Sequence, residues 1–183
     1  MNTYIVLSFP LFSNGKAIAA AICRRYGLEH FRIAEVLRDV LRRDLPISTE
    51  LHRHIDAGQI VPDTLITQLV SHYLNTEKIY KGVLFEHYPR TAAQAVLLDT
   101  LLQARNERIR YALGFDPGPE MAQHNIQAAI QAEAHHAADD ADPEIYQQRY
   151  EASRKDYADV SAHYQSTGVF RPISGWPDVQ ALL

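Results

Sequence analysis

The run Tyr4-Ile5-Val6-Leu7-Ser8-Phe9 narrows the possible folds more than any other stretch of this chain. It is far too short to cross a membrane and too continuously apolar for a strand with one face in water. Such a strand is buried on both faces, as in a parallel sheet covered by helices on either side. The residues that follow agree with this. Ser13-Asn14-Gly15 reads as a turn, Lys16 to Tyr26 carries a helical pattern closed by Gly27, and Glu29 to Arg32 is extended again. A helix between two strands is the crossover that parallel neighbours require.

The rest of the chain extends this alternation. From residue 33 to 75 the pattern is helical, punctuated at Pro46, Gly58 and Pro62, with Ser48 and Asp63 as start signals. Several short helices in succession predict a small subdomain set on the sheet. Gly82 to Glu86 is a second buried strand, and Thr91 to Ala104 resumes the helical period. Ile109 to Phe115 and Gly168 to Ile173 supply further strands. An Ala/Gln-rich helix from Glu120 and a long helix from Pro143 to Ser166 lie between them. The expectation is an α/β protein: a three-layer α/β/α sandwich on a five-stranded parallel sheet, one domain over residues 1–183 with a helical insertion.

Composition limits the partners. A chain of 183 residues with 46% apolar content can bury its own core, and a formal charge of -4 gives no basic field for nucleic acid. Small molecules or proteins are the expected partners. Cys23 is the only cysteine, which excludes an internal disulfide and a cysteine zinc site and fits a reducing cytoplasm. The start Met1-Asn2-Thr3-Tyr4 lacks a basic n-region, and no apolar run approaches the roughly 18 residues of a membrane span.

Three sets of residues could carry chemistry. The loop Ser13, Asn14, Gly15 and Lys16 stands where a phosphate-binding loop would join strand to helix, although Pro10 cannot donate an N–H and Ile18 replaces a hydroxyl. An ordinary helix start with an exposed lysine fits the same residues. Glu86 ends a buried strand, where a carboxylate either holds a water on Mg²⁺ or caps the next helix. Arg38 and Arg90 could each clamp a phosphate bidentately or form a surface salt bridge. His135 and His136 precede Asp139 and Asp140 by a helical turn, a spacing that suits surface decoration better than a metal site. Tyr146, Tyr150, Tyr157 and Tyr164 recur near helical spacing and read as one packed face.

Longer blocks carry a family resemblance. Asp56-Ala57-Gly58-Gln59-Ile60-Val61-Pro62-Asp63 is similar to the D-A-G-x-L-V-P-D segment of adenylate kinases. Gly82-Val83-Leu84-Phe85-Glu86-His87-Tyr88-Pro89-Arg90-Thr91-Ala92-Ala93-Gln94-Ala95 resembles their G-F-L-L-D-G-F-P-R-T-x-x-Q-A block, and Ala34-Glu35-Val36-Leu37-Arg38 their G-D-M-L-R. The second half is thinner, resting on Phe115-Asp116, Asp139-Asp140, Arg149 and the Gly168 strand.

The resemblance implies a P-loop NTPase-type fold in which residues 33–75 form the monophosphate-binding subdomain and residues 133–141 a vestigial lid. It also implies an AMP-type pocket. Arg38 and Arg90 would hold the acceptor phosphate, Gln94 the adenine edge, and Ile60 and Val61 the base and ribose, with His87 where the family has glycine. On the donor side it implies Lys16, Glu86 and Arg149 as the catalytic groups of an active enzyme. The family's other arginines fall on Asn125, on Ala129 or Gln131, and on Ala137. The expectation is a nucleotide binder with weak or absent kinase activity that acts through a protein partner or as a sensor. The alternatives are an active monophosphate kinase and a non-binding scaffold. Mg²⁺ with ATP is implied only for an active enzyme.

Overall fold

The computed structural model describes residues 2–13, 15–57, 59, 61–134, 143–174 and 179–181. Five parallel strands, β1 (Thr3–Ser8), β2 (Glu29–Arg32), β3 (Gly82–Glu86), β4 (Ile109–Phe115) and β5 (Phe170–Ile173), form one sheet in the order β2-β3-β1-β4-β5. The five-stranded parallel sheet read from the sequence is therefore the one observed. Strand β1 lies at its centre because the apolar run at its start needs neighbours on both edges and helices on both faces.

Alternation along β1 divides the core. Tyr4 and Val6 face a cluster with Phe31, Val83 and Phe85 from the sheet and Val70, Leu98 and Tyr164 from helices α4 (Asp63–Thr76), α5 (Ala92–Gln103) and α7 (Pro143–Ser166). Ile5 and Leu7 face the other way, onto Ala19, Ile22 and Cys23 of α1 (Gly15–Tyr26). Each of these fully buried large side chains contributes on the order of 2 kcal/mol. Cys23 is a packed apolar group whose thiol burial pushes up to about 12.

Helices α2 (Ile33–Arg42) and α3 (Ser48–Asp56) and the start of α4 close a separate cluster around Val40, Leu51, Leu65 and Leu69. These three helices follow β2 and precede β3 in the chain, and α2 packs beside β2, α3 and α4. Ser48 and Asp63 do open their helices, but as first helical residues and not as caps. The Ser48 hydroxyl donates to the Val40 carbonyl, and the Asp63 carboxylate accepts from Thr91 and Gln94. A true side-chain cap stands at Thr91, which accepts from the Gln94 N–H at 3.1 Å.

Helix α6 (Pro119–Ala134) pairs with α7 through Ala122, Ile126, Tyr146 and Tyr150. Tyr146, Tyr150 and Tyr164 are buried and Tyr157 is half-buried, so the tyrosine spacing marks a packed face. Of the 133–141 segment, residues 133 and 134 end α6 and residues 135–141 lie outside the described residues, His135, His136, Ala137, Asp139 and Asp140 among them. Among the described residues no helix is long and apolar enough to cross a membrane.

Candidate functional site

Parallel strands deliver their C-terminal ends to one edge of the sheet, and ligands of open α/β sheets gather there. At that edge the ends of β1, β2 and β3, the loop after β1 and the first turn of α1 enclose a divided cleft. On the α2 side is a cavity of about 470 Å³ whose wall includes Lys16, His30, Arg38, Glu86, His87 and Arg90. On the α6 side a second cavity of about 490 Å³ is bounded by Phe9, Phe12, Gly15 and Asn125, and it shares Lys16, Glu86 and His87 with the first. Three residues thus form the partition.

Glu86 is 6% exposed and lies 2.6 Å from His30 Nε2, a pairing set by the register that puts the last residues of β2 beside those of β3. Burial alone would raise the Glu86 carboxyl, but the hydrogen bond from His30 and the charges of His30, Arg32 and Lys16 outweigh it and hold it below the usual carboxylate range. His87 takes a left-handed backbone (φ 53°), which accounts for the family's glycine at this place. Its ring lies 5.1 Å from that of Phe9. Burial, then the nearby Arg90 charge, lowers its basicity to about 4, so the imidazole is neutral near pH 7.

The arginines reach the first cavity differently. Arg38 is an exposed residue of α2 whose Nε donates to the Ala34 carbonyl at 3.0 Å. Arg90 precedes α5, and its backbone N–H donates to Gln94 Oε1 at 2.8 Å. Gln94 Nε2 in turn donates to Asp63 at 2.7 Å, so this buried amide joins the Arg90 loop to α4. Val61 packs on the helical cluster, away from the cavity wall. Arg149 is exposed on α7 and lines neither cavity. Asn14 and Ile60 lie outside the described residues.

The loop after β1 is held largely by its own chain. Leu11 N–H donates to Ser153 Oγ at 2.9 Å, Ser13 Oγ to the Pro10 carbonyl, and Asn125 Nδ2 to the Phe12 carbonyl at 2.6 Å. The Phe12 ring sits 5.8 Å from Tyr146. Gly15 lies against the Phe9 ring so closely that a Cβ there would come within 2.3 Å of it. Phe9, His30 and Ser153 were not singled out in the sequence. His30 was the most accessible of the three, since it stands two residues from the end of a strand whose neighbour ends in Glu86.

A divalent ion fits this site only with a ligand. Glu86 is one carboxylate already bonded to His30, Ile18 offers no oxygen, and the described residues contain no group of three side chains able to hold a metal. That donor set suits Mg²⁺ carried on phosphate oxygens and held through water.

A Gly-Lys helix start after the central strand of a parallel sheet, with cations gathered at the strand ends, defines an α/β protein of the P-loop NTPase type. The chain belongs to the adenylate kinase family: the model described as "Adenylate kinase" matches residues 11–169. It is 26% identical over 167 residues to the adenylate kinase of Sinorhizobium medicae, covering 90% of this chain and 87% of the relative. It is 27% identical over 176 residues to that of Methylobacterium nodulans, with 93% and 87% covered. Against the adenylate kinase of Thermotoga neapolitana the identity is 28% over 117 residues, 63% of this chain and 53% of the relative.

Proposed function

We propose that this chain binds a nucleoside monophosphate of the AMP type in the α2-side cavity and transfers a phosphoryl group from ATP weakly or not at all. The observation that carries the reading is the contrast between the two cavities. Lys16, Arg38 and Arg90 converge on the first, three cations for a phosphate dianion. Among the described residues the second has Lys16 alone, shared with the first, and no arginine in its wall, and the Leu11 N–H of its loop is already bonded to Ser153 Oγ.

Phosphoryl transfer depends on cations that meet charge spreading over the moving group, and one catalytic arginine is worth roughly three to five orders of magnitude. Asn125 and either Ala129 or Gln131 stand where the family resemblance places arginines, which supports slow or absent transfer. In this reading residues 33–75 form the monophosphate-binding unit, the short 133–141 segment is a reduced lid, and the bound nucleotide is presented to a protein partner.

The competing reading is an active kinase of the reaction ATP + AMP ⇌ 2 ADP, using Mg²⁺. Its support is the meeting of both cavities at Lys16 and Glu86, which would put donor and acceptor phosphates side by side. A coupled assay with ATP and AMP at high enzyme concentration, run beside Lys16→Ala, separates the two. Ordinary turnover abolished by the substitution would establish the kinase; turnover at background in both would support the binder.

A further inference from the structure

The other end of the sheet carries a feature that the cleft does not use. Around the start of β1 lies a cavity of about 310 Å³. It is lined by Thr3, by the buried Ile5 and Leu28, by Tyr26 and Tyr111, and by the exposed Lys81 and Arg110. Both tyrosines back onto the apolar cluster under α1 while remaining half-buried, so each ring is fixed by packing yet borders the cavity.

The charge here is one-sided. The Arg110 guanidinium lies 5.7 Å from the centre of the Tyr111 ring, and that of Arg25 lies 5.9 Å from the Tyr26 ring. Lys81 lies across Gly27, whose positive φ of 67° and missing side chain leave room for it: a Cβ at that position would sit 3.2 Å from Lys81 Nζ. The wall contains no carboxylate, whereas the two cleft cavities include Glu86 and the cavity beside α5 includes Asp99. Glu107, which also lies at this end of the sheet, bonds to Tyr4 at 2.6 Å and Arg105 at 3.2 Å.

We propose that this cavity is a second ligand site, distinct from the cleft, for a small aromatic anion whose ring sits between Tyr26 and Tyr111 and whose phosphate or carboxylate pairs with Lys81 and Arg110. The two tyrosines supply flat apolar walls at low entropic cost, and the paired cations select charge and orientation. The volume suits one or two fused rings with an anionic group, at the small end of ligand sites.

Titration with 1-naphthyl phosphate, followed by ligand-detected NMR, tests this. The protein is the Arg90→Ala variant, in which the cleft lacks one of its phosphate cations. Saturable binding is expected, and 1-naphthoate in a parallel arm decides between phosphate and carboxylate. Adding Lys81→Ala and Arg110→Ala should weaken binding at least roughly tenfold, the scale of one lost charge-assisted bond. Neutral 1-naphthol and inorganic phosphate should each bind far more weakly. Equal binding of 1-naphthol, binding indifferent to Lys81 and Arg110, binding present in the unaltered chain but lost with Arg90→Ala, or no saturable binding would each overturn the proposal. Lys81 and Arg110 are exposed, and thermal melts of the variants confirm that each remains folded.

Discussion

The Asn125 side-chain amide donates to the Phe12 carbonyl oxygen at 2.6 Å, across 113 residues of sequence. That bond ties the loop after β1 to α6, and the Phe12 ring reinforces it by packing with Ala122, Ile126 and Tyr146. A short neutral amide thus joins loop to helix where the family resemblance places a cation. Asn125→Leu removes the donor and strands a part-buried carbonyl, so urea unfolding should show a loss of about 1 kcal/mol. Asn125→Arg should cost a similar amount and, by returning a cation, raise ATP affinity several-fold while leaving AMP affinity unchanged. Calorimetry checks both nucleotides.

Gly15 and Phe9 form a second tight relationship. Since a Cβ on residue 15 would press within 2.3 Å of the Phe9 ring, Gly15→Ala should destabilise the chain by about 1–3 kcal/mol. Phe9→Leu makes room, so the double variant should lose less than the two single changes added together. Additive losses in chemical unfolding would contradict the contact.

The Gln94 side chain is tied to the Arg90 backbone. With its amide bonded to the Arg90 N–H and to Asp63, Gln94→Ala leaves buried partners unmatched and should cost about 1–3 kcal/mol. AMP affinity should fall as well, because the loop carrying Arg90 loses its tether. Arg90→Ala, by contrast, alters an exposed side chain and should weaken AMP binding at least roughly tenfold with stability changed by less than about 0.5 kcal/mol.

The neutral His87 makes stability depend on pH. Its basicity is lowered to about 4 in the fold from an ordinary 6.5, so the unfolded chain binds the extra proton between those values. Its contribution is complete above about pH 6.5 and is lost as pH falls toward 4, an effect of up to about 3 kcal/mol. Unfolding free energies at pH 7 and pH 4.5 should therefore converge in His87→Gln relative to the parent chain. An unchanged pH slope would mean that His87 is not held neutral.

His30 and Glu86 offer a spectroscopic test. His30→Phe removes the hydrogen bond and the nearest positive charge from Glu86 while its burial remains, so the Glu86 carboxyl should titrate at higher pH by carbon NMR. A Glu86 titration unmoved by the change would show that Arg32 and Lys16 alone hold it down.

Much of the architecture was legible because it follows from short-range rules. The buried runs at Tyr4 and Gly82, the glycine after Tyr26 and the proline at 143 each mark an element the structure contains. The convergence of Lys16, Glu86, His87 and Arg90 followed from one topological fact, that parallel strands end on the same edge. What stayed hidden depends on contacts between distant residues. Nothing near Ser153 announces that its hydroxyl meets the Leu11 N–H, and nothing near Phe9 says that its ring covers Gly15. Ser48 and Asp63 teach a related lesson: their residue types suit caps, but tertiary partners took their side chains. Arg149, singled out by its motif position, is exposed on α7 and is not among the residues lining either cleft cavity.

Separate calorimetric titrations of the unaltered chain with AMP and with ATP bear most directly on the central claim that the acceptor half binds while the donor half does not. The expected result is saturable heat with AMP, and none with ATP at concentrations that saturate AMP. ATP binding as tight as AMP binding, and abolished by Lys16→Ala, would contradict it.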